Sequence, residues 1–285
     1  MIKNIINAKE AKLDKNGIYV VNLTLSEEEK GNQHAWERIY NFKSASMKKD
    51  REDFFVNKLQ DHIAYIEKAY TFSNKKVYLE IGCGPGYIGE YLMKKYHCSF
   101  VGVDFNYPML VNLKKYLTEK GYTDFILVYA DVKKMPIQAN TIDFIYGGGV
   151  IEHFKDTQNL LQQLYRILRK DGVAFNTVPA FNLFWLARSW NSIPAATFLR
   201  KPFELLHLRI LKSWLLSKYH GYELSFTLGK LYDLHKKVGF KSISGGAFAF
   251  HPSSSKMKSK VTRDMYYFLS KQKLFSPMYY IVGKK

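Results

Sequence analysis

Residues 77–89 read VYLEIGCGPGYIG, and the reading of this stretch decides the fold. Apolar and aromatic residues surround one carboxylate, Glu80, and glycine then recurs at 82, 84, 86 and 89. A strand feeding a glycine-rich turn and then a helix suits a nucleotide-like cofactor, because glycine lets the backbone approach it and the helix N-terminus offers unpaired N–H groups. Two registers compete. Gly84, Gly86 and Gly89 fit a dinucleotide turn, with Asp104 about 20 residues further on as a ribose acid. Gly82, Gly84 and Gly86 instead fit acid-x-Gly-x-Gly-x-Gly, with Glu80 as the acid. A dinucleotide turn normally starts at the strand end, here Gly82, and would then need glycine at 87, where the chain has Tyr87.

The second register resembles motif I of the class I S-adenosylmethionine-dependent methyltransferases, particularly the large bacterial group with LEIGCGPG-type sequences. The resemblance implies an α/β fold with a doubly wound, seven-stranded, mostly parallel Rossmann-like sheet. It implies S-adenosyl-L-methionine as cofactor and S-adenosyl-L-homocysteine as product. On this reading Glu80, Gly82, Cys83, Gly84 and Gly86 surround the methionine moiety, and Asp104 meets the ribose hydroxyls. Phe105 lies against the adenine, Asp131 and Val132 meet its exocyclic amine and ring, and Gly147 ends a strand beside the methyl donor. Glu80, Asp104 and Asp131 close three successive predicted strands, and a dinucleotide enzyme would not need the third acid.

The rest of the chain is read around this motif. Residues 17–25 suggest a short strand or extended segment, and Ser26 with Glu29 a capping box. Phe55, Leu59, Ile63 and Ile66 recur at helical spacing between Asp50 and Tyr70. A helix over 87–96, a strand over 99–105, a helix over 108–120 and a strand over 125–130 follow. Asp143 starts the next strand and Gly147, Gly148 and Gly149 end it. A helix over 158–168 carries Leu160, Leu161, Leu164 and Leu168 toward the sheet, with LRKDG closing it before a strand over 172–179. Thr227 or Ser225 caps a later helix that Gly239 ends, and residues 277–285 form a terminal antiparallel strand. The expected organisation is an N-terminal extension and helical cap over 1–72, a cofactor-binding domain over 73–180 and 221–285, and a helical insertion over 181–220.

The formal charge is +18. Residues 181–220 hold six basic residues against one acidic, and residues 251–285 hold eight against one. Two thirds of the excess therefore falls in these two segments, which points to an acidic partner near the substrate side, such as phospholipid head groups, RNA or a phosphorylated or carboxylated acceptor, or to solvated lysine-rich faces. Between Asp171 and Arg200 the single charge is Arg188, yet Pro179, Pro194, Asn182 and Asn191 and the short uncharged runs argue against a membrane span. The first residues lack the apolar core of a secretory signal, and two cysteines suit a reducing cytosol.

Methyl transfer leaves little trace of its acceptor, because the carbon arrives activated and the enzyme works by alignment and exclusion of water. A hydroxyl acceptor can require a general base. His153 is the first candidate, with Glu152 beside it and His207 and His220 in the insertion. Trp36, Tyr40, Phe184, Trp185 and His207 are candidates for the acceptor pocket. In the resembled family a [DN]-P-P-[YF] sequence marks amino-group methylation of adenine or glutamine, and the chain lacks it; no metal cluster is expected. The reading favoured by the aromatic insertion is a cytoplasmic enzyme methylating an apolar or amphiphilic small molecule at oxygen, with 181–220 as a lid, a peripheral membrane contact or a dimer contact. The alternatives are an RNA methyltransferase and a cofactor-binding assembly protein without turnover.

Overall fold

The computed structural model describes residues 2, 4–23, 59–187, 192–210, 222–250 and 259–285. Strands β1 (Lys12–Leu13) and β2 (Tyr19–Val20) form a short antiparallel pair. Helix α1 (Gln60–Ala69) precedes β3 (Val77–Ile81), α2 (Tyr87–Tyr96), β4 (Ser99–Asp104), α3 (Tyr107–Glu119) and β5 (Phe125–Tyr129). Then come β6 (Ile142–Gly148), α4 (Thr157–Ile167) and β7 (Leu168–Pro179). The insertion contributes α5 (Leu183–Ala187), β8 (Ile193–Pro194) and α6 (Thr197–Glu204). The chain continues through β9 (Leu224–Ser225), α7 (Leu228–Val238), β10 (Lys241–Ala247), α8 (Lys260–Ser270) and β11 (Met278–Lys284).

The main sheet runs β1-β2-β5-β4-β3-β6-β7-β11-β10. Pairing is parallel from β2 through β7, and β11 lies antiparallel between β7 and β10. Strand order reverses between β4 and β6, on either side of β3. In an open α/β sheet that is where a crevice forms at the C-terminal strand ends. Successive residues of each strand serve opposite faces. Tyr78, Phe100, Phe144 and Phe175 pack beneath α1, α2 and α3 through Ile66, Leu92, Leu110 and Leu113. Leu79, Val101, Ile145 and Ala174 pack beneath α4 and α7 through Leu160, Leu164, Leu231 and Leu234. Both faces are covered, which is why the strands are nearly continuous apolar runs.

Among the described residues the main sheet has nine strands where seven are expected. The two extra strands arise because Asp14 turns the chain sharply: its Oδ1 accepts from Asn16 N and Ile18 N, each at 2.9 Å, and Gly17 sits at φ +70°. The turn buries Ile18 completely and lays β2 along the edge of β5, so residues 1–72 contribute sheet as well as helix. β7 also starts four residues earlier than expected, directly at the end of α4. Asp171, at φ +65°, is held within the strand because Asp171 N donates to Lys285 O (3.1 Å) and Lys285 N to Gly172 O (2.9 Å). The insertion is not wholly helical, since β8 pairs in parallel with β9. Thr227 caps α7 by accepting from Lys230 N at 3.2 Å, whereas Ser225 is buried and donates to Ile193 O. Among the described residues no helix is long and apolar enough to cross a membrane.

Candidate active site

The turn after β3 is built on three left-handed glycines: Gly82 at φ +60°, Gly84 at +46° and Gly86 at +66°. A side chain there would also clash, since a Cβ on Gly82 would lie 2.8 Å from Val150 Cγ2, and one on Gly86 2.8 Å from Leu113 Cδ2. Gly89 is different. It is helical, and its Cβ would fall 2.5 Å from Phe100 Cε2, so this glycine serves the packing of α2 on β4. The strained backbone thus follows the Glu80 register rather than the dinucleotide one.

Two buried acids brace the turn. Asp104 Oδ2 accepts from Gly84 N at 2.7 Å and Oδ1 from Asn106 N at 2.8 Å. Burial pushes its carboxyl above the ordinary range, against the opposing pull of these backbone donors. Glu80 Oε2 accepts from Gly89 N at 3.1 Å. A carboxylate oxygen has two acceptor sites, so neither acid is exhausted by these bonds. Cys83 takes part through its backbone, with Cys83 N donating to Val103 O at 3.1 Å. Its thiol faces the core beside Gly102, where burial drives its pKa well up. Phe105 is half-buried after β4. Asp131 follows β5, where its Oδ1 accepts from Lys133 N at 2.8 Å and caps the 3₁₀ turn Val132–Lys134, with Val132 buried. Its Oδ2 pairs with Lys133 Nζ at 3.4 Å.

The glycine run at the end of β6 has a structural cause. A Cβ on Gly147 would lie 2.4 Å from Asn176 Oδ1, and one on Gly148 would lie 2.3 Å from Tyr146 Oη, while Gly149 is left-handed at φ +72°. Close approach by polar side chains of β6 and β7 therefore excludes any larger residue. Tyr146 is buried and hydrogen-bonded to His62 Nδ1 of α1. The His62 ring lies 4.6 Å from that of Phe248, and burial pushes its pKa down to about 4, so the imidazole is neutral near pH 7. Burial, reinforced by Glu80, raises the Tyr146 phenol well above its usual value. Asn176 is fully buried, and neither atom of its amide has a partner among the described residues. Tyr146, His62 and Asn176 escaped the sequence reading, because each is defined by a neighbour far away in the chain.

Val150 crosses over Gly82 and leads into the 3₁₀ turn Ile151–His153. His153 Nδ1 lies 2.7 Å from Tyr222 O. A carbonyl only accepts, so Nδ1 carries the proton in the neutral ring and Nε2 the lone pair. Glu152 is buried and folds toward Gly149, its Oε1 being 3.4 Å from where a Cβ there would stand. Trp185, an expected pocket residue, instead forms the insertion's own core. It is 4% exposed, its Nε1 donates to Ser192 O (3.1 Å) and Oγ (3.2 Å), and its ring contacts Phe181 and Phe203. Phe184 is half-buried against Tyr266. Trp36, Tyr40, Trp214, His220 and the side chain of His207 lie outside the described residues.

The left-handed glycine turn braced by two buried acids, with a third acid at the end of β5 and, among the described residues, an unpartnered buried amide on β7, fits S-adenosylmethionine. Among the described residues no three metal-ligating side chains cluster. Residues 79–176, about a third of the chain, match the family described as a methyltransferase domain and hold the class I S-adenosylmethionine-dependent features described above. Among its relatives, the malonyl-[acyl-carrier protein] O-methyltransferase of Enterobacter lignolyticus is 30% identical over 116 residues, 40% of this chain and 44% of that protein. The chloroplastic 2-methyl-6-phytyl-1,4-hydroquinone methyltransferase 2 of Oryza sativa subsp. japonica is 27% identical over 123 residues, 43% of this chain and 35% of the relative. The matched segments thus span less than half the length of these curated relatives. The fold resembles Haemonchus contortus phosphoethanolamine N-methyltransferase 2 in complex with S-adenosyl-L-methionine, with a TM-score of 0.61 at 15% identity, covering 94% of this chain and 61% of that one.

Proposed function

We propose that the protein methylates an apolar or amphiphilic small molecule at oxygen. The observation that carries this reading is His153, whose Nδ1–H is held by the Tyr222 carbonyl on the turn that crosses the glycine loop. That hydrogen bond leaves Nε2 as the basic atom. When bound, S-adenosylmethionine supplies an activated methyl carbon, so the chain's own work is alignment, water exclusion and disposal of a proton. Gly82, Gly84 and Gly86 would hold the methionine end, Asp104 the ribose, and Asp131 with Val132 the adenine. His153 Nε2 would take the proton that an acceptor hydroxyl gives up, and the Tyr222 carbonyl would steady the resulting imidazolium. Oxygen as acceptor atom is supported by the relatives named O-methyltransferases.

An amphiphilic acceptor is supported by the 181–220 insertion, where Phe198, Leu205, Leu206 and Ile210 are exposed. In this reading the insertion borders the acceptor side as a lid or lipid contact, and the flanking residues form the cofactor-binding domain of a cytoplasmic enzyme. The test is incubation with radiolabelled methyl donor and, in parallel, lipid extract, small-metabolite pools and RNA. Label is expected in the lipid or metabolite fraction, with incorporation falling by about 10²–10⁴-fold in His153→Ala. Label confined to RNA, favoured by the basic charge of the chain, would refute the reading. So would binding of S-adenosylhomocysteine without turnover on any fraction.

A further inference from the structure

Helix α8 has its polarity reversed relative to the helices that cover the sheet. Its inner side holds buried Ser270 and half-buried Tyr266 and Tyr267, with Tyr266 against Phe184 and Phe250. Its outer side is apolar: Val261, Met265 and Phe268, at i, i+4 and i+7, are 76%, 58% and 64% exposed. Residues at that spacing form one stripe along a helix, and Leu269 widens it. The stripe continues beyond the helix into exposed Leu274 and Phe275. Scattered apolar residues on a surface need no explanation, but a contiguous helical stripe marks a contact.

The charges around the stripe say with what. Lys260 and Lys271 lie on one side of it, with Asp264 between them and the stripe on the helical wheel, and Lys273 follows. Lys271 Nζ lies over the Tyr267 ring at 4.2 Å. Asp264 is the single acid of α8, which also carries Lys260 and Arg263, with Lys271 and Lys273 following. A second copy of the chain, docked about a two-fold axis, would bring these lysines toward their own equivalents with only Asp264 as a counter-charge. A bilayer bearing anionic head groups satisfies both halves of the surface: the stripe enters the head group and acyl boundary, and the lysines meet the phosphates.

We propose that α8 and the turn after it dock the protein on an anionic membrane surface. The contact lies outside the glycine turn and His153 and does not depend on the identity of the methyl acceptor. The test uses the full chain in flotation assays with phosphatidylcholine vesicles and with vesicles in which roughly one lipid in three is phosphatidylglycerol. The protein should float with the anionic vesicles at least about tenfold more than with the neutral ones, and less as salt rises. Met265→Glu/Phe268→Glu should lower flotation by at least about tenfold while thermal stabilisation by S-adenosylhomocysteine, the measure of a folded chain, persists. Lys260→Glu/Lys271→Glu keeps the stripe and should also lose flotation, which decides the matter should the first variant fail to fold. Absence of flotation with anionic vesicles overturns the proposal, as does flotation unchanged in a folded Met265→Glu/Phe268→Glu. A wild-type dimer that this variant converts to monomer, with no vesicle binding, would assign the face to a second copy.

Discussion

His235 shows what a single buried group does to the pH response of the molecule. It is fully buried in α7, its Nδ1 lies 2.8 Å from Leu231 O, and Nε2 has no partner among the described residues. Burial pushes its pKa down to about 4 from an ordinary 6.5. The unfolded chain therefore binds this proton more readily than the folded one. The stability associated with the neutral ring is complete above about pH 6.5, declines as pH falls, and is spent near pH 4. The decline amounts to about 3 kcal/mol at most for one group. Urea midpoints measured across this window should fall in the wild type and fall less steeply, by about one proton, in His235→Leu. An equal slope would show that His235 is already solvated. The sequence disclosed the residues that hold backbone in a fixed pattern, Glu80, Gly82, Gly84, Gly86 and Asp104, because a tight turn leaves its imprint at short spacing. It hid the Tyr146 and His62 pair, 84 positions apart, and it cast Trp185 as pocket lining when Ser192 and two phenylalanines enclose it.

At the scale of elements, one side chain ties the junction of α4 and β7 beside the backbone donors Asn140 N and Thr141 N. Lys285 Nζ donates to Tyr165 O at 2.7 Å, Leu168 O at 2.8 Å and Asn140 Oδ1 at 2.9 Å, gathering carbonyls at the C-terminal end of α4 that the helix itself leaves unpaired. The position suits a cation both as donor and by the helix dipole. Lys285→Met should cost about 1–2 kcal/mol in chemical denaturation while leaving the glycine turn intact. A cost near zero would mean that water replaces the ammonium. The alternation of strands and helices from 77 to 179 was legible because each element is long enough to show its period. β2 falls within the strand expected over 17–25, but β1 was not legible, since a two-residue strand has no period, and the Asp14 turn and burial of Ile18 set the pair on the sheet. The outward stripe of α8 has the same spacing as a core stripe, so its direction could be known only from the packing around Tyr266.

For the molecule as a whole, cofactor binding should register as global stability, because a ligand held by the folded form alone shifts the unfolding equilibrium. S-adenosylhomocysteine at about 100 times its Kd should add about 2.7 kcal/mol, a rise in Tm of roughly 4–5 °C for a chain of this size, and NAD should add nothing. Asp104→Ala should abolish the shift, as it releases Gly84 and Asn106 together. Stabilisation by NAD instead would return the glycines to the dinucleotide register. The placement of β11 has a consequence in time as well as in space. β3 through β7 can assemble once residue 179 has emerged from the ribosome, but the outer edge of β7 has no β11 until residue 278 follows, and β10 has no partner in the sheet before then. Through that interval of synthesis the nascent chain presents an open, apolar strand edge, the kind of surface that templates mispairing with a neighbouring chain. Translation speed across the intervening hundred or so residues, and chaperone capture during it, therefore bear on how much of this protein reaches its native sheet.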